Sequence, residues 1–176
     1  RHCVANQIKL PSLKTALTVG APIPAYLHRR FQDILAPGAQ IWTPYGATEG
    51  LPVSCIATHE LLGETWERTR RGEGTCVGHP APGADIRIIG ITEDAIPSWT
   101  DHLQLPQGEI GEIVVSGPQM SPEYKDVPQA TRMAKIQSER GVIHRMGDLG
   151  YLDASGRLWF CGRKAHRVQT RGGLVP

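Results

Sequence analysis

The chain lacks a strong charge of either sign, because its 19 basic and 17 acidic residues leave a formal net charge of only +2. So small an excess does not favour a nucleic acid or a membrane surface as a partner. No apolar run approaches the length of a membrane span, and the first residues lack the apolar segment of a signal peptide. We therefore expect a cytoplasmic protein with no transmembrane segment and no nucleic-acid partner.

The patterns of a metal site or a disulfide framework are also missing. The seven histidines are scattered, and the cysteines are spaced neither as a zinc knuckle nor as a redox pair. Free thiols in a reducing compartment are the expected state of Cys3, Cys55, Cys76 and Cys161. What is present, 40% hydrophobic and 20% charged residues, is typical of a globular chain and excludes a disordered tail.

The first part of the chain predicts a strand, a helix and a second strand. An apolar run at 13–19 stops at the turn residues Gly20-Ala21-Pro22, a helix is expected over 24–35, and a strand over 39–43. The expected buried stripe of the helix is Leu27, Phe31, Ile34 and Leu35. This order predicts an α/β fold with a βαβ unit of a parallel sheet, whose strand C-termini would face one crevice.

The second part predicts short strands and turns instead. Strands are expected at 85–91, 110–116, 149–152 and 157–161, with a hairpin turn at 153–156, a short helix at 129–136 and an exposed loop at 97–107. We expect a barrel-like, β-rich subdomain. The predicted units are an α/β nucleotide-binding subdomain at 1–74, the β-rich subdomain at 75–164, and a hinge that opens a further domain at 165–176.

The segment from Tyr45 to Glu49 carries groups suited to a nucleotide. A glycine after an aromatic ring lets the backbone approach a flat ligand, and Thr48 adds a hydroxyl group. The Glu49 carboxylate suits a magnesium ion that bridges phosphate oxygens. An ordinary turn at a strand end with an exposed glutamate produces the same pattern.

Three further segments are equally ambiguous when each is taken alone. Asp148 could accept hydrogen bonds from ribose hydroxyls or cap a turn. Arg163 could bridge ribose and phosphate or be a surface arginine at a hairpin end. The turn at 20–22 could lie against an adenine face or be an ordinary turn.

The order of the segments resembles that of the adenylate-forming superfamily, which includes acyl-CoA synthetases, luciferases and peptide-synthetase adenylation domains. The resemblance extends over nearly the whole chain. The matching segments are 20–24, 45–49, 74–80, 108–113 with 116–118, 145–151, and 162–163 leading to 171–172. Members of this family join a carboxylate to the α-phosphate of ATP and release pyrophosphate.

The resemblance implies a role for each matching residue. Tyr45 would stack on adenine, Asp148 would bind the ribose hydroxyls, and Arg163 would contact ribose and phosphate. Thr48 and Glu49 would be catalytic, with Glu49 also holding Mg²⁺. The implied contacts of ATP or AMP are Gly20, Ala21, Pro22, Tyr45, Gly46, Ala47, Thr48, Asp148 and Arg163. We expect Tyr45, Thr48, Glu49, Asp148 and Arg163 to border one cleft.

Within the superfamily, segments 42–49 and 147–171 most resemble the β-lactone synthetases of the bacterial long-chain olefin pathway. These enzymes adenylate a 2-alkyl-3-hydroxy acid, and a complex with other enzymes of the pathway is compatible with the resemblance. Four residues depart from the superfamily pattern: Val19, Met146, Ala165 and Gln169. Ala165 at the hinge and Gln169 weaken the expectation of a thioester-forming step.

Two alternatives stay open. One is a long-chain acyl-CoA or acyl-AMP ligase acting on a fatty acid, and the other is a non-catalytic nucleotide-binding or scaffold module. The phosphate loop and the terminal lysine of the superfamily do not match any segment here, and the chain starts at Arg1. We therefore expect a piece of a longer protein that is inactive by itself.

Overall fold

The computed structural model describes residues 2–20, 23–170 and 173–175. The helices are α1 (His2–Ala5), α2 (Ala25–Gln32), α3 (Thr58–Leu61), α4 (Glu64–Arg70) and α5 (Pro128–Ala134). The strands are β1 (Thr15–Leu17), β2 (Gln40–Ala47), β3 (Gly50–Ala57), β4 (Thr75–Pro80), β5 (Asp85–Ile89), β6 (Gly111–Ser116), β7 (Lys135–Ser138), β8 (Gly141–Leu152), β9 (Leu158–Arg163), β10 (Val168–Thr170) and β11 (Gly173–Val175). In the described part of the chain, every helix is too short or too polar to cross a bilayer.

The predicted βαβ unit is present. Strands β1 and β2 pair in parallel, from Thr15 opposite Gln40 to Leu17 opposite Trp42, and α2 connects them. The helix is shorter than predicted at both ends. Pro24 keeps an extended conformation (φ −60°, ψ 143°) and serves as the N-cap, and the helix ends at Gln32 with Asp33 as the C-cap. The mixed α/β architecture expected from the sequence is therefore confirmed.

The predicted buried stripe of α2 is wrong in part. Leu27 is 41% exposed, and the buried residues of the helix are Ala25 and His28. Ile34 and Leu35 are buried as predicted, but they lie beyond the end of the helix at Gln32. His28 faces the interior with its Nδ1 2.8 Å from the Thr58 hydroxyl, while its buried Nε2 has no hydrogen-bond partner among the described residues.

Among the described residues, nine strands form one sheet in the order β1-β2-β3-β4-β9-β8-β6-β5, with β7 paired to β8. Strand β3 was not predicted, and it runs antiparallel to β2 directly after the turn at 48–49. Strand β4 pairs with β3 on one side and with β9 on the other, so the sheet continues across residue 75. The division into subdomains at that residue stays a prediction.

The β-rich part contains the predicted hairpin. Strands β8 and β9 pair antiparallel around a turn in which the Asp153 carboxylate accepts backbone N–H bonds from Ser155 and Arg157 at 2.9 and 3.0 Å. Strand β8 begins at 141 rather than at the predicted 149, and the predicted helix at 129–136 is α5 followed by β7. A core of buried apolar side chains, including Val53, Ile113 and Leu158, joins the two parts of the sheet.

Candidate functional site

A bulge in β8 positions Asp148. Arg145 of β8 lies opposite Val114 of β6, whereas Leu149 lies opposite Glu112, so four steps along β8 face two steps along β6. Gly147 inside this bulge has φ 68°, a left-handed conformation that favours glycine. Bulges of this kind redirect side chains. A glycine therefore precedes Asp148 because the bulge that directs the Asp148 side chain requires a positive φ at position 147.

Asp148 connects two of the other predicted residues, although 103 positions separate it from Tyr45. The Tyr45 hydroxyl donates a 2.6 Å hydrogen bond to Asp148 Oδ2. Arg163, which is opposite Asp148 in the β8–β9 register, places Nη1 3.0 Å from Oδ1. The two groups form an ion pair, and the buried Oδ1 accepts no hydrogen bond from the described residues.

The electrostatics of this cluster follow from its burial. Asp148 is only 2% exposed, and burial raises the pKa of its carboxyl group, while the Tyr45 hydroxyl and the Arg163 guanidinium act in the opposite direction. Burial, and then the neighbouring Asp148 charge, raises the pKa of Tyr45, so its hydroxyl stays protonated and donates. The Arg163 side chain is 56% exposed and can therefore move toward a bound anion.

Gly46 and Ala47 of the predicted nucleotide set directly follow Tyr45 in β2. The ring of Tyr45 is 6.1 Å from the ring of Phe160, with the planes inclined at 47°. A Cβ atom on Gly46 would come within 2.6 Å of the Gly50 carbonyl oxygen, so this glycine is required by the β2–β3 hairpin. Ala47 packs against the core beside Tyr45.

Gly20, with φ 99°, lies two residues after Thr18, whose hydroxyl is 3.0 Å from that of Thr43 in β2. Ala21 and Pro22 are outside the described residues.

Glu49 belongs to a neighbouring cluster at the turn between β2 and β3. Tyr124 donates a 2.6 Å hydrogen bond from its hydroxyl to Glu49 Oε1, and the backbone N–H of Ser121 donates to the Glu49 carbonyl at 2.6 Å. Thr48, beside it, is exposed. Tyr124 was not among the predicted site residues, because nothing in the local sequence pattern relates it to a residue 75 positions earlier.

Two buried basic groups, which were also missed, influence the charge of this cluster. The hydrogen bond from Tyr124 lowers the pKa of Glu49, and His144 and Lys135 act in the same direction. Burial and Glu49 together raise the pKa of Tyr124 to about 12. Burial, and then Lys135, lowers the pKa of His144 to about 4, so at neutral pH His144 is uncharged and Glu49 is a carboxylate.

A third network holds the segment around Ala165, the predicted hinge. Glu112 is fully buried and receives two hydrogen bonds from Arg145, at 3.1 and 2.7 Å. Lys164 also contacts both oxygens of Glu112, at 3.2 Å. Arg167, on the other side of Ala165, pairs with Glu93. Lys164, the first residue of the short 3₁₀ helix Lys164–His166, and Arg167, which follows this helix, are thereby attached to the β-rich part.

Two cavities of the described chain lie elsewhere. One, of about 520 Å³, is lined mainly by apolar residues of α1 and α2, and another, of about 620 Å³, lies near Arg68 and Asp153. Neither is lined by Tyr45, Glu49 or Asp148. The structure thus joins Tyr45, Asp148 and Arg163 in one cluster and places Glu49 in the next. That all the predicted residues border one cleft stays a prediction.

Two carboxylates of the site have the chemistry that parts of a nucleotide require. Buried polar atoms are nearly always hydrogen-bonded, so Asp148 Oδ1, which accepts no hydrogen bond from the described residues, suits the hydroxyl donors of a ribose. Magnesium is commonly held by one or two carboxylates together with substrate phosphates and water. Among the described residues no group of three acidic, histidine or cysteine side chains is arranged for a metal, so Glu49 would supply a single carboxylate.

Comparison with known proteins assigns the chain to a family. The family model of AMP-binding enzymes matches residues 2–125. An olefin β-lactone synthetase from Xanthomonas campestris pv. campestris is 48% identical over 170 residues, and one from Stenotrophomonas maltophilia is 44% identical over 169 residues. Each alignment covers 93% of this chain, and the chain spans about 30% of the length of either relative.

A solved structure agrees with the fold. O-succinylbenzoate coenzyme A synthetase from Bacillus subtilis, in complex with AMP, superposes with a TM-score of 0.69 over 98% of this chain and 31% of that protein, at 22% identity. This similarity concerns the fold alone. With the motif order, the family match and the two relatives, the chain belongs to the AMP-binding enzymes of the adenylate-forming superfamily.

Proposed function

We propose that the full-length protein uses ATP to activate a carboxylic acid as an acyl-adenylate, and that its substrate is a 2-alkyl-3-hydroxy fatty acid which it closes to a β-lactone. The observation that carries the nucleotide part is the buried Asp148 carboxylate beside Tyr45 and Arg163, whose Oδ1 accepts no hydrogen bond from the described residues although it forms an ion pair with Arg163. The similarity to two olefin β-lactone synthetases supports the choice of acid.

The proposed reaction has two steps. A carboxylate oxygen of the acid attacks the α-phosphorus of ATP, and pyrophosphate leaves. The 3-hydroxyl oxygen of the same molecule then attacks the acyl carbon and loses its proton. The bond from that carbon to the AMP oxygen breaks, so the products are a β-lactone, AMP and pyrophosphate. No second substrate is needed, because an attached, well-oriented nucleophile can have an effective concentration on the order of 10⁵ M.

The residues of this chain would bind and orient the nucleotide. Asp148 would accept ribose hydroxyl hydrogens through Oδ1, while Tyr45 keeps Oδ2 occupied and holds the carboxylate in place. The exposed Arg163 would reach ribose and phosphate, and Thr48 would contact phosphate. Glu49 would hold Mg²⁺, which when bound supplies positive charge to the phosphate oxygens.

The absence of coenzyme A from the proposed reaction is consistent with the segment around the hinge. Ligases that make thioesters rotate their C-terminal domain after adenylation. Ala165 lacks a polar side chain, and its neighbour Lys164 is held by the buried Glu112. In the proposed reaction the nucleophile is already part of the acyl group, so the active site does not have to open for a thiol.

The test uses the full-length protein with ATP, Mg²⁺ and a 2-alkyl-3-hydroxy acid, with and without coenzyme A. Products are identified by NMR, and pyrophosphate release is followed over a panel of carboxylic acids. We expect the β-lactone in both mixtures, with equal amounts of AMP and pyrophosphate. A thioester formed only with coenzyme A would favour the acyl-CoA ligase, and absence of acid-dependent pyrophosphate release would favour a non-catalytic binding module.

A further inference from the structure

The turn that carries Glu49 is covered by a segment from a distant part of the sequence. The Ser121 N–H donates to the Glu49 carbonyl at 2.6 Å, and the Tyr124 hydroxyl donates to Oε1 at 2.6 Å. Met120, which precedes Ser121, packs so closely on Gly50 that a Cβ atom on this glycine would lie 2.0 Å from the Met120 terminal methyl carbon. Both the backbone and the side chain of Glu49 are thus fixed by residues 120–124.

Tyr124 is itself held from two sides. Its backbone N–H donates to the hydroxyl of Thr131, a residue of α5, at 3.0 Å. The Lys135 ammonium lies 5.5 Å from the centre of the Tyr124 ring, within the range of a cation–π contact. Lys135 is only 3% exposed, and its Nζ donates to the Ser121 carbonyl at 2.5 Å. The phenol is therefore presented to Glu49 from a fixed position.

We propose that Tyr124 is a positioning residue for the magnesium site: its hydroxyl fixes Oε1 of Glu49 and so directs Oε2 toward a divalent cation bound with the nucleotide. This inference rests on the proposed role of Glu49. A carboxylate without hydrogen bonds rotates freely, and it loses conformational entropy when it binds a metal ion. If a hydrogen bond already holds the carboxylate, less entropy is lost on binding and the metal affinity is higher. The partner of a ligating carboxylate typically changes metal affinity by about 10-fold to 100-fold.

The first experiment measures cation binding without turnover. Full-length protein is saturated with a non-hydrolysable ATP analogue, and bound Mn²⁺ is measured by electron paramagnetic resonance for the wild type and for Tyr124→Phe. Tyr151→Phe is the control, because it also removes a partly buried tyrosine hydroxyl, one that donates to the Glu73 carbonyl and accepts from Arg68 instead of contacting Glu49. We expect Mn²⁺ affinity to fall about tenfold in Tyr124→Phe and to be unchanged in Tyr151→Phe.

The second experiment measures the Mg²⁺ concentration for half-maximal pyrophosphate exchange in the same proteins, with thermal unfolding as the check on folding. An increase confined to Tyr124→Phe supports the proposal. Unchanged metal affinity in a folded Tyr124→Phe protein would overturn it, as would an equal loss in Tyr151→Phe. If the wild type binds Mn²⁺ with the analogue but exchanges no pyrophosphate with any acid, the proposed function fails while the positioning role stands.

Discussion

Replacing Asp148 by alanine in the full-length protein should weaken ATP binding through a defined contact. Oδ2 already accepts a hydrogen bond from the Tyr45 hydroxyl, so the oxygen available to a ribose hydroxyl is Oδ1, which is ion-paired with Arg163 but accepts no hydrogen bond from the described residues. A hydrogen bond to a charged acceptor contributes about 1.5–3 kcal/mol. Loss of one such bond raises the dissociation constant roughly 10-fold to 150-fold, since about 1.4 kcal/mol corresponds to a factor of ten.

Removal of Asp148 also leaves the Tyr45 hydroxyl without its partner, so a loss of affinity alone would not identify the ribose contact. The assay is therefore a cycle of titration calorimetry experiments with ATP and 2′,3′-dideoxy-ATP. The wild type should bind the dideoxy nucleotide at least tenfold more weakly, and Asp148→Ala should bind the two nucleotides nearly equally, because the coupled partner is gone. Asp101→Ala removes an exposed carboxylate and should behave as the wild type. An equal preference for ATP over the dideoxy compound in the wild type and Asp148→Ala would refute the reasoning.

Two further predictions concern stability. Glu112→Ala would leave Arg145 and Lys164 without their buried carboxylate, so the free energy of unfolding measured with urea should fall by about 3–5 kcal/mol. The control is Glu109→Ala, which removes an exposed carboxylate. Equal losses of stability in the two variants would show that the buried ion pairs of Glu112 are unimportant. For Asp153, burial alone would raise the pKa of the carboxyl group, but its hydrogen bonds together lower that pKa from 3.8 to about 2. Its contribution to stability, about 2 kcal/mol, is therefore complete above about pH 4 and is lost as the pH falls toward 2. The stability difference between the wild type and Asp153→Asn should shrink over that interval, and a difference independent of pH would show that the carboxylate charge is unimportant.

Much of the fold follows from local signals in the sequence. Gly20 and Pro24 bracket the passage from β1 to α2, and the Asp153–Gly156 turn defines the β8–β9 hairpin, because these residue types favour specific backbone conformations. Strand β3 escaped prediction since it begins at Gly50 and contains Pro52, residues that normally weaken a strand. Leu27 was predicted to be buried but is exposed, because helical periodicity identifies an apolar face without specifying what covers it.

The site shows the same limit. The order of the motifs predicts Tyr45, Asp148 and Arg163 as site residues, and in the structure these three side chains lie together. Tyr124 and Lys135 could not be found in this way, because their relation to Glu49 arises only when the segment 120–124 folds onto the β2–β3 turn. Contacts between distant residues leave no periodic signal in a single sequence.

The central claim is that the carboxylate of the acid becomes joined to the α-phosphate of ATP. It is tested most directly by supplying the full-length protein with a 2-alkyl-3-hydroxy acid that carries ¹⁸O in its carboxylate, and analysing the products by ³¹P NMR and mass spectrometry. The account predicts one ¹⁸O atom in the phosphate of AMP and none in pyrophosphate, because the attacking carboxylate oxygen leaves with AMP when the lactone closes. Unlabelled AMP, or label in inorganic phosphate, would contradict it.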